Sequence, residues 1–438
     1  MKRLLLTAAL FIGVASPAVA LSLAIATAPP AASILVRHGH IFTGGDKGTL
    51  TNSDVLIQNG KIAAVGQNLA APPGAKIIDA HGKPVTPGLM ASWTQLGITE
   101  IELVSETNDT AANQALESAA FDVSDALNPS STLIPIARIA GITRSLTAPV
   151  ACAEVFCGTA AVVDLGNGPD ILVKAKAGVF VDLEPAGGNN NKNSRPDIWS
   201  KFRETMDDAR EYWAQRAGYH RPGGSRDQRS LRVDLDALGP VVRGDEPLLV
   251  HVERASTIRQ AIEYAKANRL KLVILGGREA HLVAVELAAA QVPVVIDTNL
   301  NLPDSFSEIG ATLKNAALLD KAGVVVAFQP QNDDPAHYAR TLSQIAGNAV
   351  ANGMPWDRAL AAITRNPAQV WGISASYGTL DPGKDADVVV WDGDPLDVTS
   401  APTAVFIKGE NMPLVSRQTL LRDRYRDLSK KYPSFGYR

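Results

Sequence analysis

The stretch Val85-Thr86-Pro87-Gly88-Leu89-Met90-Ala91-Ser92-Trp93-Thr94-Gln95 separates two kinds of sequence pattern in this chain. Before it lie short, branched-residue segments separated by glycine, and after it begins a long alternation of strand-like and helix-like patterns. An apolar run that starts at a Pro-Gly pair is typical of a buried strand that follows a turn. We therefore expect a small β domain to end here and a larger α/β domain to begin.

The same stretch resembles the phrase that opens the barrel in the amidohydrolase superfamily, particularly in its imidazolonepropionase-like branch. In that family the pattern is P-G-L-[IV]-D-x-H-x-H, and both histidines bind a catalytic metal ion. This chain keeps Pro87, Gly88 and Leu89, but it has Trp93 and Gln95 at the two histidine positions. An indole N–H offers no lone pair to a metal, and an amide oxygen suits zinc poorly. The resemblance thus implies the scaffold together with degenerate metal-binding positions.

A second phrase, at the other end of the expected barrel, resembles the family pattern G-x-[IL]-x-P-G-K-x-A-D-[LIV]-V-[LIV]. It runs from Gly378 through Pro382-Gly383-Lys384 to Val390. In the family this strand joins the N-terminal β segments in one small sandwich beside the barrel. The resemblance therefore implies a (β/α)8 TIM barrel of residues 87–376. Beside it, residues 34–86 and 377–410 are expected to form one β-sandwich.

The pattern of the central region is independently consistent with that fold class. Leu248–Val252, Leu270–Leu275 and Val292–Ile296 are apolar runs of strand length, separated by amphipathic helical stretches. Alternating strands and helices predict a parallel sheet with crossover helices. A doubly wound sheet has the same periodicity, and the family resemblance favours the barrel. Residues 411–438 form a basic tail.

The N-terminus has the features of a secretory signal peptide. Met1-Lys2-Arg3 is basic, Leu4 to Val14 is apolar, and Ala18-Val19-Ala20 is a small-x-small cleavage pattern. A second such pattern, Ala26-Thr27-Ala28, leaves the cut site open, and an uncleaved membrane anchor is the alternative. We expect residues 1–20 to be removed and the protein to be periplasmic or secreted, without a membrane contact after cleavage.

Charge and cysteine content narrow the class of partner and the compartment. Cleavage after residue 20 leaves 40 basic and 45 acidic residues, a balance that favours neither nucleic acid nor an anionic membrane. The two cysteines, Cys152 and Cys157, could form a disulfide in an oxidising compartment. The alternative is two small buried residues.

The family's other metal ligands and its catalytic aspartate lie at the ends of later barrel strands. The resemblance places a histidine at the end of the sixth strand, where this chain has Gly276, and an aspartate at the end of the eighth, where register gives Gln331. A slip of two residues would instead give Asp333. The fifth strand keeps its histidine as His251, and Lys174 or Lys176 lies on the strand that carries a bridging lysine in the family.

These substitutions leave two functional classes open. The resemblance implies hydrolysis of non-peptide C–N bonds in an amide or cyclic amide, with a divalent metal such as zinc if the chain is an active enzyme. The alternative is an inactive pseudo-hydrolase without a cofactor, which binds a small molecule or pairs with a homologous active subunit. Candidate catalytic residues are His251, Glu253 and Asp333, because a His–acid pair is a competent acid/base unit. Candidate pocket residues are Trp93, Gln95, Gln331 and Arg254.

The order of basic start, apolar run and small-x-small pattern predicts export with cleavage after Ala20 or Ala28. N-terminal sequencing of the protein from fractionated cells checks this prediction. An intact Met1 on a cytoplasmic product would contradict it.

Overall fold

The computed structural model describes residues 33–101, 103–111, 118–150, 152, 155–185, 194–214, 230–330 and 335–426. The expected signal peptide, Gln331 and Asp333 therefore lie outside the described residues, and their roles stay predictions. The strands are β1 Ile34–Phe42, β2 Thr49–Gln58, β3 Lys61–Gly66, β4 Lys76–Asp79, β5 Pro84–Pro87, β6 Leu89–Thr94, β7 Ile142–Thr147, β8 Phe156–Asp164, β9 Leu172–Asp182, β10 Pro247–Val252, β11 Lys271–Gly276, β12 Val294–Ile296, β13 Val326–Phe328, β14 Val388–Trp391, β15 Pro402–Ile407 and β16 Glu410–Asn411.

Segments from both ends of the chain share one eight-stranded sheet, in the order β16-β15-β14-β5-β1-β2-β3 with β4 paired to β1. The turn between β2 and β3 is Asn59-Gly60, and both residues have positive φ, as a two-residue hairpin requires. Apolar residues of the first five strands and of β14 and β15 form one buried cluster. The composite β-rich domain predicted from the two phrases is thus confirmed.

Gly88 is the joint between this sheet and the barrel. β5 pairs with β14 in the composite sheet, and β6 pairs with β7 in the barrel. Gly88 is the single residue between the end of β5 and the start of β6. The Gly88 N–H donates to the Asp387 carbonyl at 2.9 Å. A Cβ at this position would lie 2.1 Å from Thr143 Oγ1, so only glycine fits.

The second sheet is the barrel, in the order β13-β12-β11-β10-β9-β8-β7-β6. Its seam is bridged by the segment that contains Ala362 and Ile363. The Ala362 carbonyl accepts from Phe328 N on β13, and the Ile363 carbonyl accepts from Met90 N on β6. The predicted TIM-barrel-like fold is therefore confirmed.

One strand departs from a purely parallel barrel, because β8 is antiparallel to both β7 and β9. The connections on either side of β8 are short, and a parallel crossover needs a dozen residues or more. Cys152 and Cys157, joined by a disulfide, lie in and just after the loop that leads into β8. The reversal brings the start of β8, rather than its end, to the face where the parallel strands end.

Helices cover the outside of the barrel. A representative one, α4, buries Ile258, Ala261, Ile262 and Ala265 at helical spacing and ends at Arg269, whose φ is +56°. No described helix is long and apolar enough to cross a bilayer. The helices are α1 Leu133–Ile139, α2 Arg195–Ala214, α3 Arg232–Val242, α4 Ala255–Asn268, α5 Ala284–Ala289, α6 Asn315–Lys321, α7 Pro335–Tyr338, α8 Leu342–Ala351, α9 Trp356–Ala361, α10 Arg365–Val370 and α11 Arg417–Arg426.

The barrel strands divide their side chains between two separate cores. On β10, Leu248, Val250 and Val252 belong to the outer core beneath the helices, whereas Leu249 belongs to the cluster inside the barrel. This alternation follows from the two-residue period of a strand. The inner cluster includes Met90, Trp93, Leu146, Phe180, Leu249, Val273, Leu275, Val295, Ala327 and Trp371.

Arg144 on β7 ties the barrel to the composite sheet. Its side chain is 1% exposed, its Nε donates to Asp387 at 3.0 Å, and an Nη donates to Asp385 at 2.6 Å. The guanidinium also lies 4.8 Å from the centre of the Tyr377 ring. Burial alone would lower the pKa of Arg144, but the two carboxylates outweigh it and raise that pKa above its ordinary value.

Arg144→Met should lower the free energy of unfolding by about 3–5 kcal/mol, because it leaves the buried carboxylate of Asp387 without its cation and leaves the partly buried Asp385 with Lys61 alone. Arg144→Lys should lose less, since it keeps the charge but not the fork of donors. Urea unfolding followed by circular dichroism measures both. The control is Arg259→Met, which removes an exposed pair with Glu286 and should change little. Equal effects of Arg144→Met and Arg259→Met would contradict this role.

Candidate functional site

The face where the parallel barrel strands end carries polar residues that point into the barrel. Ala327 on β13 and Val295 on β12 face the interior, so the residues two positions later, Gln329 and Asp297, face it too. His251 follows Leu249 in the same way on β10. These positions form the mouth of the barrel.

Trp93 and Gln95 occupy the two positions where the family resemblance placed metal ligands. Trp93 is 7% exposed, and its ring centre lies 4.5 Å from that of Phe180 in an edge-on contact. Gln95 is 2% exposed, and its Nε2 lies 3.5 Å from the Ala148 carbonyl, to which it donates. An aromatic pair thus fills the interior directly beneath the mouth.

His251 lies between two carboxylates. Its Nδ1 is 3.0 Å from Asp182 Oδ1, at the end of β9, and its Nε2 is 3.3 Å from Glu253 Oε1. The side chain of His251 is 25% exposed and that of Glu253 only 9%. The structure therefore brings two of the predicted catalytic residues, His251 and Glu253, into contact, and their catalytic role stays a prediction.

The charges of this row stabilise one another. Burial lowers the pKa of His251, but Asp182 and Glu253 outweigh it and hold that pKa well above its usual value. Burial raises the pKa of Asp182 and of Glu253, yet the facing imidazolium keeps both below their ordinary values. At neutral pH His251 is a cation between two carboxylates, which makes it a hydrogen-bond donor and an acid rather than a base.

Arg278 holds Glu253 from the opposite side. Its backbone N–H donates to Glu253 Oε2 at 2.8 Å, its Nε is 3.9 Å from Oε1, and an Nη bonds Glu308. Gly276, at the end of β11, has φ +81°, and a Cβ there would lie 2.5 Å from Glu253 Oε1. The carboxylate of Glu253 therefore occupies the space beside the position where the family resemblance placed a further histidine.

The two lysines on β9 lie far from the mouth along the strand. Lys174 Nζ donates to the Trp371 carbonyl at 2.9 Å, and Lys176 is exposed with φ +52°. Asp182, which closes β9, is the residue of this strand that reaches the mouth. Neither lysine contacts His251.

Two other expectations can be compared with the structure. Arg254 is exposed at the start of α4, so its predicted pocket role gains no support from a contact. Gln329 is the residue that directly follows β13. The strand register in the sequence gave Gln331 for the aspartate position, two residues later and outside the described residues.

Three residues at the mouth were not predicted from the sequence: Asp182, Arg278 and Gln329. Asp182 and Gln329 could have been found from the sequence by one rule. Each is the first polar residue at the end of an apolar strand, at a position whose side chain points into the barrel by alternation.

The described side chains do not fit the family's metal ion. No group of three or more His, Cys, Asp or Glu in the described part of the chain has an arrangement that could hold one. The physical reason lies in particular residues: the Trp93 indole packs on Phe180, and Gly276 leaves room only for the Glu253 carboxylate.

The comparisons with known proteins point to one family. A model described as Amidohydrolase family matches residues 277–415. The chain is 25% identical over 398 residues to the amidohydrolase tasK of Hapsidospora irregularis, which covers 81% of this chain and 39% of that protein. It is 29% identical over 148 residues to an imidazolonepropionase of Rhizorhabdus wittichii, which covers 33% of this chain and 36% of that protein. The matches thus span less than two fifths of either curated relative.

A solved structure matches over almost the whole fold. The crystal structure of an amidohydrolase from Thermotoga maritima superimposes with a TM-score of 0.77 at 26% identity. The match covers 88% of this chain and 100% of that one. The likeness therefore includes both the barrel and the composite sheet.

The charged row predicts a pH-dependent contribution of His251 to stability. His251→Gln should lower the free energy of unfolding by about 1–3 kcal/mol, because Asp182 and Glu253 lose their shared cation. The raised pKa of His251 makes this contribution complete below about pH 6.5, the unfolded value, and lost as the pH rises through the folded value. The lowered pKa values of the carboxylates make their contribution fade below about pH 4.

Thermal unfolding of wild type and His251→Gln between pH 4 and 9 measures this dependence. The difference in Tm should be largest between about pH 5 and 6.5 and should narrow toward pH 9. The control is His81→Asn, at an exposed turn, which should give a small difference at every pH. A constant difference for His251→Gln would show that the ring is not charged in the folded protein.

Proposed function

Because the chain belongs to the amidohydrolase superfamily, we propose that its barrel mouth binds a small amide or cyclic amide, the class whose non-peptide C–N bonds the family hydrolyses, without a catalytic metal. The single observation that supports this proposal is the occupation of the metal positions by Trp93 and Gly276, packed against Phe180 and Glu253. The family barrel is kept, and with it a mouth lined by strand ends. The electrophile that metal-dependent hydrolysis needs has no ligands among the described residues.

The mouth offers groups that suit a neutral polar ligand. Trp93 and Phe180 supply an apolar floor, and Gln95 and Gln329 supply carboxamides. Carboxamides carry both donors and acceptors and therefore complement the same groups of an amide ligand. A small apolar-floored site with a few polar groups is the usual form of a small-molecule site.

A second candidate function is metal-independent hydrolysis of such a bond, favoured by the row Asp182–His251–Glu253. In this role a water molecule would add to the amide carbonyl carbon, and the C–N bond would break as His251 transfers its Nε2 proton from Glu253 to the leaving nitrogen. The proton that the water loses would return to His251, which is general acid catalysis followed by reprotonation of the acid. The lowered pKa values of Asp182 and Glu253 make both carboxylates weak bases at neutral pH. Opening of the 2-piperidone ring, followed by NMR and abolished in His251→Gln, would establish this reaction.

We further propose a periplasmic or secreted location and a homologous active subunit as partner. The disulfide between Cys152 and Cys157 supports an oxidising compartment. The presence of Trp93 and Gln95 at the two histidine positions of the opening phrase supports a partner that keeps those histidines. Co-purification of the mature protein with a related chain that keeps both histidines of the barrel's opening phrase tests the pairing, and a monomer in cells that contain that chain would refute it.

The proposal predicts that mature protein dialysed against metal-free buffer holds far less than one equivalent of zinc, iron or manganese. Elemental analysis measures this content, and binding of 2-piperidone by ligand-observed NMR should be the same with and without a chelator. Trp93→His combined with Gln95→His should not restore metal, because Gly276 and Gln329 still supply no ligand of the family's kind. A stoichiometric metal that is lost in His251→Ala but kept in His81→Ala would contradict the proposal.

A further inference from the structure

Gln329 closes the last strand of the barrel and faces its interior. Val326 and Phe328 belong to the outer core and Ala327 to the inner one, so alternation directs the next side chain inward. Gln329 is 2% exposed. Its backbone N–H donates to the Ile296 carbonyl at 3.1 Å, which fixes the residue against β12.

The side-chain oxygen of Gln329 is buried, and no donor in the described part of the chain reaches it. A buried carbonyl without a donor is costly, and most buried polar atoms in folded proteins have a partner. Glutamine does not stabilise the fold at such a position, because an apolar residue of the same shape would avoid the desolvation cost of the unpaired oxygen. The oxygen is therefore suited to accept a hydrogen bond from a molecule that enters the mouth.

The neighbouring strand places a second acceptor beside it. Ile296 on β12 pairs in register with Phe328 on β13, so Asp297 and Gln329 are the next residues of adjacent strands and face the same way. Asp297 is 3% exposed, and one of its oxygens accepts from Asn299 N at 2.8 Å. A carboxylate beside a carbonyl oxygen attracts N–H groups and repels the lone pairs of an ester oxygen.

We propose that Gln329 is the specificity-determining residue of the barrel mouth, and that it selects ligands whose C–N unit carries an N–H over matched ligands that lack one. This inference rests on the proposed binding function and adds the feature of the ligand that is recognised. The Gln329 oxygen accepts the ligand N–H. Sites with a buried partner for a ligand hydrogen bond reject analogues that lack the group, because the partner then stays unpaired.

The test compares 2-piperidone with N-methyl-2-piperidone, which have the same ring but differ in the N–H. Wild type should bind 2-piperidone at least about tenfold more tightly, as measured by NMR titration, which corresponds to about 1.4 kcal/mol. Gln329→Met, similar in shape but without the acceptor, should reduce the ratio of the two Kd values to near one. Gln329→Glu keeps an acceptor oxygen and should retain the preference. The control is Gln369→Met, at an exposed position on α10, which should behave as wild type.

Thermal unfolding separates selection from a structural role. Because Gln329→Met removes a buried oxygen without a donor, its Tm should equal or exceed that of wild type. A marked fall in Tm would show that Gln329 serves the fold and would overturn the inference. Equal binding of both lactams by wild type would overturn the inference and leave the proposed binding function standing. Binding of neither lactam would refute both.

Discussion

The buried pairing of Arg144 with Asp385 and Asp387 is the interaction on which the two-part architecture depends. Both acids belong to the Pro-Gly-Lys-Asp-Ala-Asp phrase that leads into β14, and the arginine lies on the second barrel strand. Tyr377 completes the contact: its ring faces Arg144 and its hydroxyl donates to the Gly88 carbonyl at 2.6 Å. A charge in this setting cannot be removed singly without leaving its partners unpaired in a low dielectric. The contact therefore joins the second phrase to β7, and the bonds from Tyr377 and Asp387 to Gly88 connect it to the opening phrase.

This contact lies at the end of the barrel away from the mouth, so the joining of barrel and sheet does not depend on the residues at the mouth. Trp93 and Phe180 fill the interior with an edge-on aromatic pair, a kind of contact that adds stability beyond the area it buries. Trp93 packs within the inner apolar cluster and takes no part in the Arg144 contact, so the residue at its position does not affect how the two parts of the chain are joined.

Sequence reasoning located the elements whose signals are local. Asn59-Gly60 forms a turn with positive φ at both residues, which few other residue pairs adopt. Gly88, after Pro87, lies where no side chain would fit. It did not find the reversal of β8, because an apolar strand has the same pattern in either direction. It also did not find Gln329, because β13 has only three residues and the alternation that directs Gln329 inward is visible only once the pairing of the strand is known. The contact of Glu253 with Arg278 joins two strand ends, and no local pattern specifies it.

The charged side chains at the mouth form one connected group. A divalent cation in such a barrel neutralises acidic ligands in a region of low dielectric. Here the described residues provide two positive charges, the imidazolium of His251 and the guanidinium of Arg278, to Asp182, Glu253 and Glu308. The hydrogen bonds within this group hold the carboxylates in place. The unpaired oxygen of Gln329 adds an acceptor to the mouth, and a ligand that brings an N–H group would satisfy it.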